Sequence, residues 1–160
     1  MTDNPRRRNS LRYPGYDYAT PGVVFVTFCT HNRQHLFGTV VDSQVRLNQY
    51  GLMLAERWQA IPQRFTGVEI DEFIIMPDHI HGLLWSGTLE AHARATCSDV
   101  VQWVKIAVQR DISLAVKAGG PRYQGKLWQR GYYDRVVRNE RELEATRIYI
   151  NTNPQRWEMR

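Results

Sequence analysis

Cysteine is scarce in this chain: two residues in 160, Cys29 and Cys97. That excludes a disulfide framework and a cysteine-rich zinc site, and fits small thiols in a reducing compartment. Long apolar runs are missing too, and none approaches the ~20 residues that cross a bilayer. The opening MTDNPRRRNSLRYPGYDY is charged and leads into no apolar stretch of the kind a signal peptide needs. Neither membrane insertion nor secretion is expected, which leaves a cytoplasmic protein. Repeats and low-complexity tracts are also lacking. Acidic residues are in deficit: 16 Asp and Glu stand against 21 Lys and Arg, for a net charge of +5.

What is present suits one globular domain, with 42% hydrophobic residues in a length that leaves little room for two domains. The positive charge is localised. Residues 1–12 carry a net +3 through Arg6, Arg7, Arg8 and Arg12, and residues 105–138 carry a net +6. Everything else sums to −4. Two basic stretches on an otherwise acidic chain point to an anionic partner. Residues 1–22, rich in Arg and then in Tyr, Pro and Gly, read as a basic arm, with residues 23–160 as the domain.

Val23–Thr30, β-branched and aromatic, predicts a buried strand. A polar loop with His31 and His35 follows, both read as surface residues. Leu47, Tyr50, Leu54 and Trp58 recur at helical spacing from about Val45 to Ile61. Val68–Met76 and His79–Trp85, separated by Pro77-Asp78, predict an antiparallel hairpin. Ser98–Lys117 is an amphipathic helix with Ser98 as its expected N-cap. After a basic loop, Tyr132–Arg138 predicts a last strand, and Asn139 caps a final helix that Asn153-Pro154 ends. The order β-α-β-β-α-β plus one helix predicts an α+β, ferredoxin-like antiparallel sheet.

Within that plan His79 and His81 alternate along a strand, so both imidazoles share one sheet face and Ile80 points to the other. Two neutral imidazoles are half of a divalent-metal site, or simply polar residues on a solvated face. Leu83 holds the next position, which excludes a run of three alternating histidines. Tyr149 and Asn153, four apart, share a helix face. Asn153 offers a hard amide oxygen suited to Mg²⁺ or Mn²⁺. Tyr149 offers a hydroxyl that attacks phosphodiesters only when activated. The same pair also suits a boundary aromatic and a helix stop. Tyr132 and Tyr133, adjacent in a strand, point to opposite faces, so at most one can face the histidines.

Three segments carry a resemblance. MPDHIHG, from Met76 to Gly82, resembles the HUH motif of single-tyrosine transposases that act on single-stranded DNA. WQRGYYDRVVRNERELEATRIYINTNP, from Trp128 to Pro154, is similar to the same family's tyrosine-helix region. YDYATPGVVFVTFCTHNRQHLFG, from Tyr16 to Gly38, resembles one branch, the REP-associated tyrosine transposases. The resemblance implies that the helix after the last strand carries Tyr149 as nucleophile, with His79, His81 and Asn153 as ligands of Mg²⁺ or Mn²⁺. It implies cleavage and rejoining of single-stranded DNA beside hairpins (REP-like palindromes) through a 5′-phosphotyrosine. It also implies a monomer working on the bacterial chromosome.

Under that reading the basic stretches become DNA contacts: Arg6, Arg7, Arg8 and Arg12 on the arm, and Arg122, Tyr123, Lys126, Trp128 and Arg130 in the loop. Cations would follow the backbone while rings stack on bases. The competing reading is a non-catalytic binder of single-stranded nucleic-acid hairpins on the same fold. A small-molecule metalloenzyme using the same histidine pair leaves the Arg-rich arm without a role.

Overall fold

The computed structural model describes residues 22–86 and 95–160. The arm arginines Arg6, Arg7, Arg8 and Arg12 lie outside the described residues.

Four strands, β1 (Gly22–Cys29), β4 (Val68–Met76), β5 (His79–Ser86) and β6 (Tyr133–Val137), form one sheet in the order β4-β5-β1-β6. Every neighbouring pair is antiparallel. The β1-to-β4 connection skips β5, and the β5-to-β6 connection skips β1. That is the split βαβ plan read from the element order.

Alternation along the strands sorts the residues into two clusters. Val24, Val26 and Phe28 of β1, with Ile80 and Leu84 of β5, face the main core. Helices α1 (Gln49–Gln59) and α3 (Cys97–Lys117) close that face with Leu54, Trp58, Val101, Val104 and Val108. Val23, Phe25 and Leu83 face the opposite way and pack on Leu143 and Ile150 of α4 (Glu140–Asn151). Gly82 permits the close packing on the core side. A Cβ there would stand 2.2 Å from Cζ2 of the fully buried Trp58.

Three local features depart from the expectations. A two-stranded hairpin, β2 (Gly38–Val41) and β3 (Gln44–Leu47), was not expected, and its second strand occupies the start of the stretch expected to be helical. Asp42 (φ 51°) and Ser43 (φ 58°) both take the left-handed conformation of a two-residue turn that matches strand twist. α1 begins only after Asn48, whose side chain accepts from the Tyr50 and Gly51 amides at 2.9 and 3.0 Å. The α3 cap is Thr96, not Ser98. Thr96 and Asp99 exchange side-chain and backbone bonds as a capping box, which leaves Ser98 inside the first turn. Finally, the Asn153-Pro154 step ends α4 but starts another helix, α5 (Asn153–Glu158), with Pro154 in its first turn, where a missing N–H costs nothing. Asn139 caps α4 as expected, accepting from the Glu142 amide at 2.9 Å.

Two polar contacts fix α4 and α5. β4 has a bulge between Ile70 and Phe73. Asp71, in that bulge, takes both Nε and Nη2 of Arg147 at 2.9 and 2.6 Å and the Trp85 indole N–H at 2.9 Å. Arg147 holds the carboxyl far below the usual carboxylate range, against the opposing effect of burial. At the other end, Glu158 of α5 accepts from the amide and hydroxyl of Ser43 at 2.9 and 2.7 Å. A short α2 (Ile61–Arg64) links α1 to β4. No helix among the described residues is long and apolar enough to cross a membrane.

Candidate active site

β5 places His79 and His81 on the α4 side of the sheet, both nearly enclosed at 2% and 7% exposure. Ile80 goes to the core, as alternation requires. Their Nε2 atoms stand 3.1 Å apart, while each Nδ1 has its own oxygen partner. His79 Nδ1 bonds Asp78 Oδ1 at 2.5 Å, and His81 Nδ1 bonds Thr27 Oγ1 at 2.6 Å. A carboxylate only accepts, so a neutral His79 ring has its proton on Nδ1 and its lone pair on Nε2. Thr27 can accept as well, so His81 can present Nε2 in the same way. Burial first, and then the neighbouring His79, push the His81 imidazole well below its usual pKa, favouring the neutral ring.

This arrangement fits a divalent ion. Adjacent ligands of an octahedral ion at ~2.1 Å lie roughly 3 Å apart, close to the Nε2 separation found here. Oriented Nδ1–H groups are the usual outer-shell support of metal-binding histidines. Among the described residues no group of three His, Cys, Asp or Glu that could hold a metal converges, so a third donor would be of another kind. Asn153 is 4% exposed at the start of α5. Trp157, one turn further along α5, sets its ring 6.3 Å from the His79 ring and 5.1 Å from His35. The Asn153 and Trp157 side of α5 is thus turned toward the histidines.

Tyr149 joins the group from α4. Its ring lies 5.3 Å from His81 and 6.1 Å from Phe25, and Phe25 stacks on His81 at 5.3 Å. The guanidinium of Arg156 sits 5.0 Å over the Tyr149 ring. A hydroxyl-bearing ring, two oriented imidazoles and a guanidinium around one spot suit chemistry on a phosphate ester. Tyr133 packs with Phe25 on this face and Tyr132 against the main core, so one tyrosine of the pair faces the histidines.

Asp78, Thr27, Arg33 and Trp157 belong to the site and were not singled out from the sequence. Asp78 adjoins His79, and an acid next to a candidate ligand was an available signal. Arg33 pairs with Asp78 at 2.9 Å from a 3-10 turn, His31–Arg33, in which Asn32 and Arg33 have φ near +55°. Although burial pushes the Asp78 carboxyl up, its bond to His79 and the Arg33 charge bring it below its usual value. His35, read as a plain surface residue, contacts Trp157.

The basic loop divides. Arg122, Lys126 and Arg130 are exposed, and Tyr123 is half-buried. Trp128 corrects the expectation of a DNA-stacking ring. It is 8% exposed, packs on Phe28 and Phe37, and gives its indole N–H to the Lys105 carbonyl at 3.0 Å. An isolated bridge from Thr30 to Trp128 pulls this part of the loop onto the end of β1.

The fold and site together define an α+β ferredoxin-like domain with a histidine pair on its sheet and a tyrosine-bearing helix across it. The model of the family described as "Transposase IS200 like" matches residues 23–153. The chain belongs to that family. A protein of Haemophilus influenzae, described as uncharacterized, is 32% identical over 162 residues, covering 94% of this chain and 90% of the relative. Among solved structures, a REP-associated tyrosine transposase bound to a REP hairpin shares the fold with a TM-score of 0.65 at 18% identity, over 91% of this chain and 73% of that one. A putative transposase from Deinococcus radiodurans R1 matches with a TM-score of 0.54 at 20% identity, over 88% and 96% of the two chains.

Proposed function

We propose that this protein is a divalent-metal-dependent transposase that cleaves and rejoins single-stranded DNA beside REP-like hairpins through a 5′-phosphotyrosine. The observation that carries the reading is the cluster itself: two Nε2 atoms 3.1 Å apart with the Tyr149 ring 5.3 Å from His81. Family membership and the likeness to a hairpin-bound relative support the choice of substrate.

In this mechanism the Tyr149 Oη attacks the scissile phosphorus. An Oη–P bond forms and the P–O3′ bond breaks, Oη giving up its proton to solvent and O3′ taking one up, which leaves the 5′ phosphate on Tyr149 and a free 3′-hydroxyl. Attack by that or another 3′-hydroxyl on the phosphotyrosine reverses the exchange, so no nucleotide cofactor is consumed. His79, His81 and Asn153 would hold Mg²⁺ or Mn²⁺, which when bound supplies Lewis-acid polarisation of the phosphate and neutralises developing charge. Asp78 and Thr27 fix the imidazoles. Arg156, over the Tyr149 ring, would face the phosphate. Arg122, Lys126 and Arg130 would follow the hairpin backbone. The protein acts as a monomer at chromosomal repeats in the bacterial cytoplasm.

The test is incubation with labelled single-stranded hairpin oligonucleotides and Mg²⁺ or Mn²⁺, resolved on a denaturing gel. A covalent protein–DNA band is expected, abolished by Tyr149→Phe and by chelation. Tight hairpin binding without adduct under either metal, across a library of flanking sequences, would instead establish a non-catalytic binder.

A further inference from the structure

A cleft of about 790 Å³ opens between β1, β6 and α4, with His81 and Tyr149 on its wall. It is far larger than a phosphate needs and lies within the range of small-ligand sites. The sheet register sets its layout. Thr27 pairs with both His81 and Tyr133, giving one row across the sheet. Phe25 pairs with both Leu83 and Arg135, giving the next row on the same face. Two residues along a strand is roughly 7 Å, about the stride of one extended nucleotide. Arg135 therefore stands one row along from Tyr133 on the same face of the sheet, two strands from the strand of His81.

The Arg135 guanidinium is held in one orientation. It lies 5.6 Å over the Phe25 ring, which also contacts His81, Tyr149 and Tyr133. Its Nη2 donates to Thr146 Oγ1 at 3.0 Å, while the Thr146 hydroxyl donates its own proton to the Glu142 carbonyl at 2.7 Å. Thr146 lies one helical turn before Tyr149, so one helix positions both the candidate nucleophile and the arginine. Arg135 Nε is enclosed with no hydrogen-bond partner among the described residues. A buried unsatisfied donor costs stability. A fixed, partly unsatisfied guanidinium in an aromatic-lined cleft is suited to an acceptor edge of a nucleobase.

We propose that this cleft is a nucleobase pocket. It takes one unpaired nucleotide next to the scissile phosphate, and Arg135 selects the base by donating to its acceptor edge. Arg135 is a specificity-determining residue, not part of the metal site. The inference rests on the single-stranded-DNA reading given above.

Adduct trapping on a hairpin library with randomised single-stranded flanks, followed by sequencing, tests it. Wild type is expected to prefer one base at one position adjoining the cut by about 10-fold or more, the discrimination of a good arginine–base contact. Arg135→Lys and Arg135→Gln should still form adduct but lose that preference, with preferences at other positions unchanged. Thr146→Val, which keeps the arginine and removes its anchor, should weaken the same preference. Wild-type indifference at both flanking positions would overturn the proposal. So would variants that lower adduct equally for all four bases while melting like wild type.

A second arm needs no chemistry. Fluorescence anisotropy compares binding of the intact hairpin with one made abasic at the flanking position. The abasic change should weaken binding to wild type about 10-fold and to Arg135→Gln hardly at all. If no adduct forms with any library member, the transposase reading fails. The abasic comparison then still decides the pocket, and equal affinity for both oligonucleotides overturns it.

Discussion

Gly82→Ala tests whether the site rests on a void-free core. The added methyl would stand 2.2 Å from Cζ2, 2.6 Å from Cη2 and 3.1 Å from Cε2 of Trp58. Trp58 has no exposed surface and is flanked by Phe73 at 5.9 Å and Phe28 at 6.4 Å, so its ring has nowhere to swing. Either the ring or β5 has to move by roughly 1 Å to restore van der Waals contact. Overpacking a dense core costs typically 1–3 kcal/mol, and a rigid indole on one side and a central strand on the other put this case near ~3 kcal/mol. For a domain of this length that lowers Tm by about 6–12 °C. Circular dichroism melts would show the drop. Combining it with Trp58→Phe, which withdraws the clashing atoms, should recover most of the loss as a favourable coupling. A Gly82→Ala protein melting within about 2 °C of wild type, or a strictly additive double mutant, would refute the reasoning.

Asp78→Asn keeps a hydrogen-bond acceptor beside His79 but removes the charge that Arg33 and the imidazole share. Calorimetric titration with Mn²⁺ should show affinity falling about 10- to 100-fold, and unchanged affinity would mean that Asp78 does not support the ligand. Lys105 of α3 reaches into the loop and donates to the carbonyls of Gln129, at 3.0 Å, and Gly131. Burial drags its pKa to about 8, below the ~10.4 of an unfolded lysine. The unfolded chain therefore binds more protons between those two values. The penalty for burying the ammonium is complete below pH 8 and is relieved as pH rises through that window. Urea unfolding at pH 7.5, 9 and 10 should show wild type gaining on Lys105→Met as pH rises, and a constant difference would refute the assignment.

The four strands of the main sheet were legible because each is a run of β-branched and aromatic residues with its own punctuation. The β2–β3 hairpin was not. Its strands have four residues each, its turn is Asp-Ser with no glycine, and Leu47 falls at helical spacing from Tyr50 and Leu54. The Thr96 cap could have been read from the threonine three residues before Asp99. At the site, the shared face of His79 and His81 follows from strand alternation, and one turn of helix links Tyr149 to Asn153. Arg33 and Thr27 were beyond reach because their roles depend on strand pairing and on a left-handed turn between distant segments. Trp128 misled for the opposite reason. A tryptophan among basic residues reads as a stacking surface until the end of β1 pulls it into the core.

The small hairpin also has a bearing on assembly. Ser43 at its tip holds Glu158 at the end of α5, and Asp71 in the β4 bulge holds Arg147 within α4, so each helix carries a polar tie to the rest of the fold. Two copies exchanging these helices would have to undo both fastenings and remake them across the pair. The hairpin is thus a tether on the far end of α5, and Ser43→Ala would loosen that end.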